Sequence, residues 1–363
     1  MKTISKYQWI VLIVLGIMSV VVIQVVRHFF REEERQIRTH IREIVKKEYP
    51  EAVNRLNAMY GLKLFGQRKT LQKPGAQTSP VILVHGLDEP GKVWMNLAPA
   101  LVEKGFSVYT MTYPNDQPIT ESARFFLECI KSHRLAKAKH ISIVAHSMGG
   151  LVAREMLTHP SWSYADKVDK KELPAVWQLI MVGTPNHGSE LARFRIFTEF
   201  REQITGLFSE KYHWLQGIFD GAGEAGMDLM PGSMFLKQLN RRPHPNNVNM
   251  MVIAGTMSPW QKNEIEHFTQ NLKVKLPEDT RVAVKEMENV LLSASNEVGD
   301  GLVAVRSAQL SGVPLRIVQG THLSMIRNIT AGSQRIPPAI PIIIEQLHRI
   351  VPKRNVKKLF KVS

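Results

Sequence analysis

The chain is 363 residues long, 44% hydrophobic and carries a formal net charge of +15, enough for one large domain or two modest ones. A single cysteine, Cys129, excludes an intrachain disulfide. No Cys/His cluster has zinc spacing, no glycine-rich phosphate loop is present and no acidic cluster lies near His322 for calcium, so neither metal nor cofactor is expected.

The basic excess is confined to the ends. Residues 1–70 hold 13 Lys/Arg against 6 Asp/Glu, and residues 345–363 hold 6 against 1, leaving about +3 for everything between. That distribution, with no nucleic-acid motif, speaks against a nucleic-acid partner. It suits flanks that meet anionic headgroups, each basic residue there being worth ~1 kcal/mol. The Lys353–Lys361 tail reads equally as a solvated end that aids solubility.

In chain order, Trp9 to Val26 is an apolar run whose only polar side chains are Ser19 and Gln24. Its length is near the minimum for spanning a bilayer, and no small-residue cleavage site follows it. An uncleaved N-terminal transmembrane helix is expected within residues 1–30. Five arginines follow the run (Arg27, Arg31, Arg35, Arg38, Arg42) and two lysines precede it, which places the remainder on the cytoplasmic side. Arg31 to about Tyr60 reads as a charged helical stalk or a packed helix, with Ile37, Ile41, Ile44 and Val45 on one face. Gln67–Ser79, with Pro74-Gly75, reads as a linker, so that residues 31–77 join the anchor to a domain spanning 78–350.

Strands are predicted at Val81–Val84, Ser107–Met111, Ile141–Ala145, Trp177–Val182, Asn249–Ala254 and Leu315–Val318. Helical segments between and after them include Glu121–Lys131, which carries Cys129 as a buried thiol, and Pro338–Ile350. This alternation predicts an α/β fold with a mostly parallel central sheet covered by helices. A long insertion, about residues 190–248, exceeds an ordinary connection of ~2–6 residues. Phe197, Phe200, Ile204, Leu207 and Phe208 recur in it at helical spacing, and glycines follow at 217, 221, 223 and 226. It reads as a helical cap or lid, either mobile over the site or fixed to the core. Residues 351–363 form the basic tail.

The chemistry centres on Ala145-His146-Ser147-Met148-Gly149-Gly150. A strand that ends at a serine among small residues and restarts as a helix is the form of a nucleophile elbow. A serine hydroxyl needs a histidine base, and that imidazole needs a carboxylate. The expected order places both after the serine, each on a loop following a strand. Asp300 in Gly299-Asp300-Gly301 and His322 after Gly320-Thr321 fit best; Glu297 and Asp228 lack the glycine context. His85-Gly86-Leu87 follows a buried strand, and the Leu87 and Met148 backbone N–H groups are the expected oxyanion donors. His85 precedes the serine and is expected to organise its loop through backbone hydrogen bonds.

These pieces, with Gly183-Thr184-Pro185-Asn186-His187-Gly188-Ser189 and Leu229-Met230-Pro231-Gly232-Ser233, resemble the α/β-hydrolase superfamily. Within it they are most similar to the microbial triacylglycerol lipases and the GPI inositol-deacylase-like branch, over roughly residues 78–350. The resemblance implies carboxylic-ester hydrolysis through an acyl-enzyme on Ser147, Asp300 and His322, with a lipid or acyl-ester substrate. It also implies export, against the arginine asymmetry. The same residues would serve an acyltransferase or a thioesterase, and the fold also hosts proteins that bind lipid or a partner without turnover.

Overall fold

A computed structural model describes residues 60–66, 79–87, 91–115, 117–190, 224–257, 262–275, 299–330 and 332–349, with scattered positions between 281 and 292. The apolar run at Trp9–Val26 expected to cross a membrane, the charged segment, most of the linker, residues 191–223 of the insertion, Glu297 and the basic tail lie outside the described residues. Among the described residues no helix is long and apolar enough to cross a membrane.

The described strands are β1 (Gly61–Leu64), β2 (Val81–Val84), β3 (Val108–Thr112), β4 (His140–His146), β5 (Ala175–Val182), β6 (Asn249–Gly255) and β7 (Leu315–Val318). They form one sheet in the order β1-β3-β2-β4-β5-β6-β7. All six predicted strands are present to within two residues at either end. β1 is the addition: it pairs antiparallel with β3 at the sheet edge, within the segment read as stalk and linker. Every other pairing is parallel.

The described α-helices include α1 (Leu97–Glu103), α2 (Ile119–Ser132), α3 (Met148–Thr158), α4 (Tyr164–Asp169), α5 (Glu224–Asp228), α6 (Met234–Arg241), α7 (Lys262–Lys275), α8 (Val305–Ala308) and α9 (Ala339–His348). β2 shows why the strands read as continuous apolar runs. Its side chains alternate, Ile82 and Val84 packing with Phe126, Leu127, Leu151 and Met156 of α2 and α3. Val81 and Leu83 pack with Leu97, Leu101, Ile340 and Ile343 of α1 and α9 on the opposite face. A parallel sheet buried on both sides leaves no polar face.

The described end of the insertion is not a loose cover. Ala225 and Leu229 at α5, and Phe235, Leu236 and Leu239 of α6, are buried in the same core as α2 and α3. Cys129 of α2 is half-buried, and its thiol is pushed up to about 11, first by burial and then by Glu128. It stays protonated at neutral pH, in keeping with a packing role.

The sheet order places the site. From β2 the chain steps to β3 on one side, while β4 lies on the other, so β2 and β4 flank a topological switch point. Ligands of open α/β sheets bind outside the carboxyl ends of such strands. The register pairs Val84 with Ala145, His146 with Val182, Val182 with Ile253 and Gly255 with Val318. Leu87, Ser147, Gly183 and His322 therefore all leave the sheet on one side.

Candidate active site

Ser147 joins β4 to α3 with φ 53° and ψ −131°, a backbone region that side-chain-bearing residues rarely adopt. Such a conformation costs about 1–3 kcal/mol and persists only where the surroundings enforce it. Here its N–H donates to the Val182 carbonyl at 2.8 Å and its own carbonyl accepts from Gly150 N–H at 3.1 Å. Gly149 is required because a Cβ there would stand 2.3 Å from the Val84 carbonyl oxygen and 2.5 Å from that of His85. The close approach is thus between α3 and the neighbouring strand β2, and it sets the loop after β2 beside the serine. Ser147 itself remains partly exposed.

Asp300 and His322 meet directly. His322 Nδ1–H donates to Asp300 Oδ2 at 2.8 Å, with both side chains buried. The other carboxylate oxygen, Oδ1, accepts from the Leu302 and Val303 N–H groups at 2.9 and 2.7 Å. A carboxylate can only accept here, so Nδ1 carries the ring proton and Nε2 is left as the acceptor. Asp300 lies in a tight turn closed by a bridge between Gly299 and Ala304. Among the described residues no sheet strand leads directly into it, unlike the expected placement after a strand. It is set instead by Gly255 at the end of β6, where a Cβ would come within 2.8 Å of Asp300 Cβ.

Two contacts bring this pair to the elbow. Gly183, next to the residue that accepts the Ser147 N–H, lies against the pair. A Cβ there would sit 3.1 Å from His322 Nδ1 and 3.2 Å from Asp300 Oδ2. His146, next to Ser147, packs its ring on that of His322 with centroids 4.7 Å apart.

The loop after β2 closes over the serine. A Cβ at Gly86 would stand 2.6 Å from Ser147 Cβ and 3.2 Å from its Oγ. His85 Nδ1–H donates to the Gly86 carbonyl at 2.7 Å, the backbone-organising role expected of it. Burial holds the His85 imidazole down to about 4, so it is neutral at working pH. Tyr113 stacks on His85 at 4.5 Å and donates its hydroxyl to the His85 carbonyl at 2.6 Å. Asn115 adds a longer bond to the Gly86 carbonyl. Met148, first residue of α3, presents one of the helix N-terminal amides that have no partner within the helix. Leu87 thus follows the glycine packed on Ser147, and Met148 adjoins Ser147 at the start of α3.

The sequence profile of the family Lipase (class 2) matches residues 78–290, more than half of the chain. The chain belongs to the class 2 lipases. Its fold is similar to that of Bacillus licheniformis lipase BlEst2 in mature form, with a TM-score of 0.53 and 17% identity over 79% of this chain and 97% of that one. The propeptide form of BlEst2 aligns with a TM-score of 0.52 and 16% identity over 80% of this chain and 54% of that one. Phospholipase PlaB from Legionella pneumophila aligns with a TM-score of 0.51 and 18% identity over 76% of this chain and 60% of that one. At such identities the likeness is one of fold. No curated protein sequence matches significantly. The protein is thus an ester-hydrolysing enzyme of lipase/esterase type on an α/β-hydrolase fold.

Within this lipase, the Gly183–Ser189 loop braces the acid turn. Ser189 Oγ donates to the Leu302 carbonyl at 2.6 Å, and Asn186 Nδ2 donates to the Ala308 carbonyl at 2.7 Å. Asn186 Oδ1 in turn accepts from Arg154 of α3 at 2.9 Å, which links the acid turn to the elbow helix. Asp228, the rival acid, is occupied elsewhere: its carboxylate accepts the Ile119 N–H at 2.9 Å, capping the start of α2. Tyr113, Asn115, His146 and Ser189 were not singled out from the sequence. Each acts on a backbone carbonyl far along the chain, which leaves no local pattern. Among the described residues no group of three or more His, Cys, Asp or Glu side chains converges as a metal site would require.

Proposed function

We propose that the enzyme is a membrane-anchored serine esterase that hydrolyses carboxylic esters, acyl-lipid esters above all, through an acyl-enzyme. Ser147 Oγ attacks the ester carbonyl while His322 Nε2 takes its proton, and the Asp300 carboxylate stabilises the imidazolium that forms. The Leu87 and Met148 N–H groups receive the oxyanion, a single such donor being worth about 3 kcal/mol. The carbon–oxygen bond to the alcohol then breaks, and His322 returns the proton to the departing oxygen. Water attacks the acyl carbonyl by the same route, releasing the acid and restoring Ser147.

The observation that carries this reading is the buried Asp300–His322 bond, which fixes the tautomer that leaves Nε2 basic beside the elbow. The substrate class rests on the family and on the surroundings of the catalytic domain. Residues 1–30 serve as the anchor, 31–77 as a charged connection, 78–350 as the hydrolase domain and 351–363 as a basic tail toward the bilayer. Residues 190–248 form a cap whose C-terminal part is anchored in the core, as the burial of Phe235 and Leu239 supports.

The test is hydrolysis of p-nitrophenyl esters of rising acyl length by the full chain and by Ser147→Ala. Turnover is expected on long as well as short chains, and loss of at least a thousandfold in the variant. Undiminished turnover by Ser147→Ala would remove the serine mechanism, and collapse beyond short acyl chains would remove the acyl-lipid substrate. Digestion of the C-terminal tail by protease added to intact cells would place the domain outside; protection would place it in the cytoplasm.

A further inference from the structure

We propose that His146 is a positioning residue that fixes the main chain of His322, and with it the proton-accepting imidazole, at a set distance from Ser147. The inference rests on the assignment of Ser147 and His322 as nucleophile and base. His146 is the last residue of β4 and is 2% exposed. Its Nε2–H donates to the His322 carbonyl at 3.0 Å. A carbonyl only accepts, so Nε2 carries the proton of this ring and Nδ1 is bare; Nδ1 has no partner among the described residues.

The bond matters because of what else holds His322. Its backbone N–H donates to the Asp300 carbonyl at 2.9 Å and its Nδ1–H to the Asp300 carboxylate. The acid thus restrains one side of the residue. The histidine loop is closed on itself: Thr321 N–H donates to Ser324 Oγ, and Ser324 N–H to Thr321 Oγ1. A turn closed in this way shifts as a unit unless something ties it to the elbow. His146 supplies that tie from the residue adjoining the nucleophile.

The same ring must also stay uncharged. During the reaction His322 becomes an imidazolium with the His146 ring centroid 4.7 Å away, where a second cation would oppose it. Burial, and then the neighbouring His322, hold His146 well below the usual histidine range. A neutral donor is therefore available throughout the cycle.

Packing and hydrogen bonding make different demands at this site. A packing role is met by any ring of similar size, whereas the tie needs an N–H near the Nε2 position. In the full chain, His146→Phe keeps the volume and lacks the donor, and His146→Gln restores an amide N–H at a similar reach. On a soluble ester, His146→Phe is expected to lower kcat by roughly 10- to 100-fold with KM within about twofold, the scale of a misplaced catalytic group. His146→Gln is expected to recover kcat to within about fivefold of the native enzyme. If His146→Phe fails to reach the native melting midpoint, His146→Leu carries the same comparison with His146→Gln. Equal losses in the donor and non-donor variants, or no loss in the non-donor variant, would overturn the proposal. Ser147→Ala, run beside them, separates the two layers: its inactivity keeps the underlying assignment in place whatever the His146 variants do. Normal turnover by Ser147→Ala would remove that assignment and the inference with it.

Discussion

Ser147 and Asp300 reach the same site by different physical means. The serine is held by backbone geometry: β4 runs into α3 through a φ of 53°, with Gly149 pressed against the carbonyls of Val84 and His85. The aspartate is held by hydrogen bonds, two to its carboxylate from its own loop and two from His322, one to the carboxylate and one to its carbonyl, and by neighbours remote in sequence such as Gly255 and Ser189. An elbow of the first kind tolerates almost no added volume. The turn of the second kind is also sterically tight, a Cβ at Gly299 standing 2.7 Å from the Val303 carbonyl oxygen, but what it delivers to the site is the carboxylate paired with His322.

The comparison breaks most visibly at Asp300. In Asp300→Asn, Oδ1 can still accept the Leu302 and Val303 N–H groups, but an amide NH2 in place of Oδ2 cannot accept from His322 Nδ1. The imidazole is then driven to the wrong tautomer, and kcat on a soluble ester is expected to fall by about 10⁴-fold while the melting midpoint changes little. Retained activity would show that the base is oriented by another group.

At the elbow the expected failure is in folding. Gly149→Ala drives a methyl group into two backbone carbonyls that cannot rotate away, at a cost of about 3 kcal/mol. Urea denaturation measures it, and a midpoint equal to the native one would mean that α3 can retreat from β2.

The buried histidines around the elbow sharpen the contrast through pH. Folded His85 stays neutral down to about pH 4, whereas in the unfolded chain it protonates near its ordinary value of 6.5. Between these values the unfolded state binds the extra proton, so stability is full above pH 6.5 and declines as pH falls toward 4. The loss from His85 is about 3 kcal/mol, and His146 acts in the same direction. His85→Asn, which retains a donor near Nδ1, should flatten that decline in denaturation curves taken from pH 7 to 4; an unchanged slope would remove His85 as its source.

The smallest effect is expected at Asp228. Asp228→Ala removes an acceptor at the start of α2, worth about 1 kcal/mol, and leaves kcat within twofold. A large loss of kcat with unchanged stability would point to Asp228 rather than Asp300 as the catalytic acid.

The two kinds of restraint also explain what the sequence made legible. The elbow was readable because sterics dictate its residues: only glycine fits at 149, where the two carbonyls close in. The buried strands were readable because a sheet covered on both faces demands unbroken apolar runs. Asp300 was readable through its flanking glycines, and Gly301 does adopt a positive φ of 91°. β1 was missed because Gly61-Leu62-Lys63-Leu64 is too short to show a period and owes its form to the edge of β3. The Gly183–Ser189 segment stood out only as part of a family resemblance, since its bracing of the acid turn runs through contacts more than a hundred residues apart in sequence.

The central claim is that Ser147 is the nucleophile activated by His322 and Asp300. Its most direct test is reaction of the full chain with a fluorophosphonate, followed by mass spectrometry of the labelled peptides. The expected result is a single phosphonyl adduct on Ser147, absent from Ser147→Ala and formed far more slowly in His322→Ala. An adduct on another residue, or equal labelling of Ser147→Ala, would contradict it.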